Sequence, residues 1–432
     1  MIYKCIIWLT SLLTITITTV AQKGFFIPQQ AKIFFNGNNS TIFSNVINRG
    51  QLGIGKKAVL NFTGNKWENN SQSLITDESD NGNGTQGEGG IVRFLSTGSS
   101  TDQRLQLLTG GYNAAAHTGP AFYNLYITNP YGVSLTEAST KVRNRLHFED
   151  GHIYTSQQIL TVGNNNPGII SGYNEKAFVV TGSSGGMLLR EQVRRSDGRV
   201  IFPIGAADGL YTPAVIGTWG NSPDDFYMRV FNDVVDGPVN GRSLDDRSVN
   251  KTWQIGKLQR PDLDVVEITL LHLAAEEGLT FTNNRSRSYI SQYINGQWDE
   301  DTPQSLPLPS PIFGIQSSLV NWGSNTRTCR GTVSTESYFT KFTKELPGPK
   351  IDFRIWPNPA PDIFYISIGQ NDNLPAYAIV VWSIIGQKLR EERVNGRPVI
   401  EMRGLIPGTY IVGVISNIGK VIEAKKLIVT GY

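Results

Sequence analysis

Two stretches decide the fold of the N-terminal half: Leu125–Leu135, which reads LYITNPYGVSL, and Leu146–Leu160, which reads LHFEDGHIYTSQQIL. Each has two short apolar runs separated by a turn that holds a glycine, Gly132 in the first and Gly151 in the second. Strands this short cannot bury an apolar face alone, and stacking them as rungs provides a core. The pattern predicts an irregular β-solenoid, with a Greek-key sandwich as the alternative.

Short β-prone runs of this kind extend over residues 22–198, and no segment keeps an apolar 3.6-residue period for three turns. Longer runs between residues 199 and 343 predict a β-sandwich domain. These runs are 200–204, 211–217, 226–231, 249–255, 265–271, 289–293 and 337–342. We expect Trp253 and Trp298 to fill the space between its sheets, and sugar-stacking platforms are the alternative role for them. The sequence therefore predicts an all-β chain.

The composition agrees with a secreted β protein. Charged residues make up only 17% of the 432 residues, and the 45 glycines point to frequent tight turns. The formal net charge of +3 is spread without a run of Lys or Arg, so we expect no nucleic-acid partner.

The N-terminus reads as a signal peptide over residues 1–21. Lys4 supplies the positive start, an apolar stretch follows, and small residues before Gln22 predict cleavage between Ala21 and Gln22. A membrane anchor is the alternative, but this stretch is shorter than the roughly 20 apolar residues of a span, and no later stretch approaches that length. Cys5 leaves with the signal peptide, so Cys329 is expected to be an unpaired thiol in a loop or edge strand.

A third domain is predicted at residues 351–432. The preceding segment 344–350, KELPGPK, contains two prolines that bar a continuous strand or helix and is predicted to be a linker. Five apolar or alternating runs after it predict a small, Ig-like antiparallel β-sandwich. These runs are 364–368, 376–384, 399–402, 410–414 and 422–429.

Landmark residues stand in a fixed order in this domain. They are Trp356-Pro357-Asn358-Pro359, the turn at Gly386, Gly404-Leu405-Ile406-Pro407-Gly408-Thr409-Tyr410, and Lys425-Lys426-Leu427-Ile428-Val429. Their order, spacing and terminal position resemble the type A C-terminal sorting domain of the type IX secretion system, which has an aromatic residue before Pro-Asn-Pro, a Leu-Pro-x-Gly-x-Tyr turn and a final Lys-Lys strand. Ile406 is one residue more than that turn contains, and residues 430–432 extend beyond the strand.

The resemblance implies export from the periplasm through an outer-membrane channel. It also implies capture by a shuttle protein and removal of the domain by a sortase-like protease that cuts in the linker. In the family, the released body is often coupled to anionic lipopolysaccharide.

The body of the chain offers few chemical motifs. Its four histidines form no zinc motif, and adjacent acids on a strand point to opposite faces, so we predict no catalytic residue and no cofactor. The one candidate metal site is a loop rich in oxygen ligands and glycine, although it lacks the EF-hand spacing. Its candidate calcium ligands are Asp77, Asp80, Asn81 and Asn83.

The sequence thus predicts a secreted or cell-surface protein without enzymatic activity, adhesive or glycan-binding, with surface lipopolysaccharide or glycans as partners. Two alternatives remain open. One is a secreted polysaccharide hydrolase or lyase on a β-helix scaffold, which would need a cleft with converging acids. The other is a structural coat protein without a specific ligand.

Overall fold

The computed structural model describes residues 24–97, 103–220, 222–258, 265–301, 315, 322–344, 353–368, 378–394, 399–415 and 421–431. The predicted cleavage site at Ala21 and Gln22 and residues 345–350 of the predicted linker lie outside them. The chain divides into two compact units, Met1–Lys344 and Glu345–Tyr432. The predicted boundary between residues 198 and 199 falls inside the first unit.

Short strands that stack in parallel form the first part of unit one. The strands up to residue 205 are β1 (Phe25–Ile27), β2 (Lys32–Phe35), β3 (Asn39–Ile42), β4 (Val46–Asn48), β5 (Gln51–Ile54), β6 (Val59–Phe62), β7 (Lys66–Asn69), β8 (Leu74–Thr76), β9 (Ile91–Leu95), β10 (Gln106–Thr109), β11 (Ala121–Thr128), β12 (Val133–Leu135), β13 (Thr140–Phe148), β14 (Ile153–Tyr154), β15 (Ile159–Val162), β16 (Ile169–Ser171), β17 (Val179–Val180), β18 (Met187–Val193), β19 (Arg199–Phe202) and β20 (Ile204–Gly205). One parallel sheet has the order β1-β4-β7-β10-β12-β14-β17-β20, and a second contains β3-β6-β9-β11-β13-β15-β18. A third, β2-β5-β8, lines the first three rungs.

The two stretches quoted from the sequence are successive rungs of this stack. Leu125 lies opposite Leu146, and in the neighbouring sheet Val133 lies opposite Ile153. Gly132 and Gly151 both have positive φ, +82° and +75°. A Cβ atom on Gly151 would lie 2.0 Å from the carbonyl oxygen of Asn129 in the rung before. Glycine therefore lets the turns stack in contact, and the predicted solenoid is confirmed.

The solenoid core consists of columns of apolar side chains from equivalent positions. Leu60, Val92, Leu125 and Leu146 are aligned by the strand register and are almost fully buried. Each such side chain contributes roughly 1.5–3 kcal/mol when it is removed from water. This stacking is what stabilises strands of only three or four residues.

Longer antiparallel strands complete unit one. They are β21 (Ala214–Thr218), β22 (Asp224–Phe231), β23 (Thr252–Lys257), β24 (Val265–Leu273), β25 (Ser288–Ile294), β26 (Gln297–Trp298), β27 (Trp322–Arg330) and β28 (Ser337–Thr343). The helical segments of the described residues are short: the α-helix α1 (Leu279–Asn283) and the 3-10 helices Ser79–Gly82, Arg195–Asp197, Asp245–Arg247, Ala274–Glu276 and Arg285–Arg287. No helix in this part of the chain has the length and hydropathy that crossing a membrane requires.

The solenoid continues directly into the predicted sandwich. The last parallel strand of the second sheet, β18, pairs antiparallel with β22, and the same sheet goes on through β23, β28, β25 and β26. A four-stranded antiparallel sheet, β19-β21-β24-β27, shares a core with it. Trp253 is 0% exposed in that core, as expected. Trp298 differs from the expectation, because it is half-buried in a separate small cluster with Val234, Tyr289 and Phe342.

Cys329 lies on the edge strand β27, as expected for an unpaired thiol. It is buried, and burial raises the pKa of its thiol. The thiol is therefore less reactive than an exposed one.

Unit two consists, in its described residues, of seven antiparallel strands in two sheets. The strands are β29 (Phe353–Trp356), β30 (Phe364–Ile368), β31 (Ala378–Ser383), β32 (Lys388–Arg393), β33 (Val399–Met402), β34 (Gly408–Ile415) and β35 (Val421–Val429). Their orders are β29-β30-β33 and β32-β31-β34-β35. Both sheets contribute to one core, in which Phe364, Ile379, Val412 and Leu427 are fully buried. The predicted small C-terminal sandwich is confirmed.

Candidate functional site

The landmark residues of unit two meet at one end of its sandwich. Ser383, which ends β31, lies opposite Tyr410, and Gly408 lies opposite Val429 near the end of β35. Ala360, in the turn after β29, forms a parallel bridge with Val429. The turns 356–360, 383–388 and 404–408, together with residues 429–431, are called the landmark end below. The opposite end holds Phe353, where β29 begins.

Asn358 joins the first landmark to the last. Its amide nitrogen donates to the carbonyl oxygen of Lys426 (2.7 Å), and its amide oxygen accepts from the backbone N–H of Ile428 (2.9 Å). The flanking residues, Pro357 and Pro359, have no N–H to donate. The asparagine side chain therefore pairs with the free edge of β35 as a strand residue would, which protects that edge.

The turn before β34 is closed by Tyr410. Its hydroxyl donates to the carbonyl oxygen of Ile406 (2.6 Å), four residues upstream. This is the arrangement of a tyrosine corner. Leu405 packs against the core, and Gly404 and Gly386 have positive φ. A Cβ atom at either of these two glycines would meet no atom within 4 Å, so backbone conformation is what favours glycine there.

The two adjacent lysines of β35 point to different sides, as successive strand residues do. Lys425 donates to the carbonyl oxygen of Phe353, and its ammonium lies 5.7 Å from the centre of that ring. Lys426 is exposed. Both lysines are thus accessible, and Lys425 also links the start of β29 to β35.

The landmark end exposes large apolar side chains. Ile385 is 83% exposed and Ile406 is 77% exposed, and Ile384 and Trp356 are also exposed there. Exposed apolar groups gathered at one end of a small domain are typical of a protein interaction surface.

The sandwich of unit one contains a cleft of about 370 Å³ with an aromatic floor and a charged rim. Tyr289, Trp298 and Phe342 form the floor, and Trp298 donates its indole N–H to the carbonyl oxygen of Val235 (2.7 Å). Asp246, Arg247 and Glu300 lie at the rim. Burial and the nearby carboxylate of Glu300 raise the pKa of Tyr289 to about 12. The sequence suggested Trp298 as a possible sugar-stacking platform, but it did not show which residues lie around it.

A second cleft, of about 460 Å³, lies on the outer side of the long sheet and is mostly polar. It brings together His117, Lys141, Glu191 and Asp225, from a loop and from β13, β18 and β22. Lys141 donates to both oxygens of Glu191, at 2.8 and 2.9 Å. Sequence reasoning missed this group, because its members are far apart in the chain and only the strand order brings them together.

The candidate calcium loop is held by protein groups. Asp77 is buried, and its carboxylate accepts from the backbone N–H groups of Ser79 and Gly87 and lies 3.5 Å from Arg143. The side-chain oxygen of Asn83 accepts from Lys32 (2.7 Å). Asp80 and Asn81 are exposed. Cationic side chains and backbone amides thus pair with the oxygens of this loop, which needs no calcium ion to balance Asp77.

A buried polar chain crosses the core of the sandwich. Lys341 lies 2.6 Å from His272 Nδ1, and His272 Nε2 lies 2.8 Å from Glu277, which also pairs with Arg285. Burial, and then the charge of Lys341, lower the pKa of His272 to about 3. His272 is therefore neutral at pH 7, accepts from Lys341 at Nδ1 and donates to Glu277 at Nε2.

In the comparison with family models, residues 354–430 match the family described as the secretion system C-terminal sorting domain. This range contains every landmark residue. Comparisons with curated proteins and with solved structures gave no match.

Proposed function

Residues 354–430 form a C-terminal sorting domain of the type IX secretion system, and from that premise we propose that the chain is an exported, non-enzymatic surface protein whose body binds glycans. The sorting domain implies export to the cell surface or beyond, and it implies interaction with the type IX machinery. We make separate proposals for the surface that binds this machinery and for the role of the body.

The landmark end is the proposed contact surface for the secretion machinery. Two observations support this proposal. The landmark residues are far apart in sequence but meet at this end, and four exposed apolar side chains lie beside them. Its position also leaves the end where β29 begins free for the chain that precedes the domain.

Charged substitutions test this surface. Ile385→Asp and Ile406→Asp should reduce the external protein at least several-fold, because a charge opposes burial in an apolar interface. The matched control is Val399→Asp, which is 44% exposed at the opposite end of the domain. Normal export of both landmark-end variants, or an equal loss with the control, would contradict the proposal.

After export we propose that a sortase-like protease cuts within residues 344–350 and that the body is attached to lipopolysaccharide or released. Mass spectrometry of the external protein identifies both termini. A mature chain that keeps residues 351–432 would contradict this step.

For the body, the aromatic cleft carries the glycan-binding proposal. Aromatic rings offer flat apolar faces to the C–H groups of a sugar, and charged rim groups can bind its hydroxyls. Among the three rings, Trp298 is the most accessible, because Tyr289 and Phe342 are buried.

A glycan array with the purified protein tests this proposal. Trp298→Ala and Glu300→Gln should each lower the binding found for the unmodified chain at least several-fold. Trp219→Ala is the control, because Trp219 is exposed and lies outside the cleft. Absence of binding would favour a purely structural coat protein, and equal binding by all variants would place the ligand elsewhere.

The second candidate function, a polysaccharide-acting enzyme, is favoured by the convergence of Glu191 and Asp225 in the polar cleft. Glycosidases use two carboxylates that face one sugar. Turnover of a polysaccharide that is lost in Asp225→Asn and kept in Trp298→Ala would establish this role in place of the first.

A further inference from the structure

The polar cleft contains three possible metal-binding side chains close to one another. One donor atom each from His117, Glu191 and Asp225 lies within 4.8 Å of the other two. His117 Nδ1 is 3.5 Å from Glu191 Oε1, and His117 Nε2 is 4.0 Å from Asp225 Oδ2. Bond lengths of about 2.0–2.2 Å place the donors of a tetrahedral zinc site roughly 3.4 Å apart, so small side-chain rotations would complete such a set.

Both carboxylates are buried and held in place by other groups. Asp225 Oδ1 accepts from the backbone N–H of Gln192 (2.8 Å) and from its side-chain amide (3.0 Å). Lys141 donates to Glu191. These contacts hold both carboxyl groups in place, as the outer partners of metal ligands do.

Asp225 is only 5% exposed, and its Oδ2 lies 4.0 Å from His117 Nε2, which is beyond hydrogen-bonding distance. The two carboxylates carry two negative charges, and Lys141 supplies one positive charge. Two carboxylates this close to each other repel, and a bound cation would remove that repulsion.

We propose that His117, Glu191 and Asp225 bind one divalent metal ion of the zinc class. An imidazole nitrogen together with carboxylate oxygens suits zinc or manganese, whereas calcium and magnesium prefer all-oxygen sites. The described residues supply three ligands, so the fourth position faces the cleft, near Asn164 and Asn165, and takes water or an external ligand. The ion would also tie the loop that carries His117 to the long sheet.

Calorimetric titration of the purified full chain with zinc chloride, after treatment with a chelator, tests the site. One equivalent of zinc should bind, and His117→Ala should weaken binding at least tenfold. His117 lies on a loop and is 47% exposed, so its truncation should leave the fold intact. His147→Ala is the matched control, since that histidine contacts Ser171 in the same solenoid but lies outside the cluster.

Thermal unfolding provides a second readout. Zinc should raise the unfolding midpoint of unit one in the unmodified chain and in His147→Ala, and it should leave the midpoint of His117→Ala unchanged. Absence of zinc binding by the unmodified chain, or equal binding by His117→Ala, would overturn the proposal.

Discussion

The side-chain amide of Asn358 donates a hydrogen bond to the carbonyl oxygen of Lys426, across 2.7 Å, and so joins the Pro-Asn-Pro turn to the Lys-Lys strand. These two landmarks lie at opposite ends of the domain's sequence. Their contact gives a physical reason why the landmarks occur together, because the turn forms hydrogen bonds with the exposed edge of the last strand.

Asn358→Ala should lower the free energy of unfolding of the sorting domain by about 1–3 kcal/mol, because it removes both side-chain bonds to β35. Calorimetry of the full chain measures this as a shift of one of its two unfolding transitions. Arg393→Gln, at the opposite end of the domain, is the control and should have little effect. An unchanged transition for Asn358→Ala would show that the turn does not stabilise the strand.

Tyr410→Phe should lower the free energy of unfolding of the sorting domain by about 0.5–1.5 kcal/mol, since only the hydrogen bond to Ile406 is lost. Tyr365→Phe is the matched control on the neighbouring sheet, where the half-buried ring packs on Trp356. Equal effects of the two substitutions would argue against a tyrosine corner in this turn.

Gly151→Ala should destabilise unit one by more than Gly209→Ala does. Both glycines have positive φ, +75° and +70°, and alanine is disfavoured there by about 1–2 kcal/mol. Only at Gly151 would the new Cβ atom also collide with the rung before, 2.0 Å from Asn129. Denaturant unfolding of both variants measures the difference, and equal destabilisation would mean that the rungs do not pack as closely as described.

The stability of unit one should fall as the pH is lowered from about 6.5 toward 5. The pKa of His272 is about 3 in the folded protein and near 6.5 when unfolded, so the neutral form stabilises the fold fully above 6.5. Below pH 6.5 the unfolded chain takes up a proton that the folded chain does not. This lowers the free energy of unfolding by up to about 1.4 kcal/mol per pH unit.

Two glutamates packed near His272 act in different pH ranges. Glu277, whose pKa is lowered, loses its contribution only below about 4.5. Glu276, whose pKa is raised by burial, takes up its proton above 4.5 in the folded protein and therefore opposes the His272 trend in that upper range. Lys341, whose pKa is lowered by burial, adds a slope at higher pH. His272→Gln should therefore reduce the slope between pH 6.5 and 5, and an unchanged slope would contradict the assignment.

The sequence predicted those elements whose side chains alternate or carry turn glycines. The rungs at Leu125 and Leu146 are examples, and so are β30 and β33, whose predicted bounds match the structure. It missed β32, which is almost entirely charged and exposed, and β27, whose buried Ser324 and Asn325 gave no apolar signal. Strands of this kind are stabilised by their neighbours and not by their own composition.

The sequence could not show that the solenoid and the sandwich share one sheet. That fact depends on the antiparallel pairing of β18 with β22, which places Leu189 opposite Tyr227. The same pairing brings Asp225 beside Gln192 and Glu191. The polar cleft could therefore not be predicted from the sequence either. By contrast, the landmark residues could be recognised from the sequence, because their order along the chain can be read without knowledge of their contacts.

A chain that ends at Lys344 shows whether unit two directs export, because this truncation removes unit two at the boundary between the two compact units. The external and cell-associated protein would be quantified in a bacterium with an active type IX system, beside the full-length chain. We expect the truncated chain to fold but to stay inside the cell envelope. Its appearance outside in normal yield would contradict the assignment of unit two as the sorting domain.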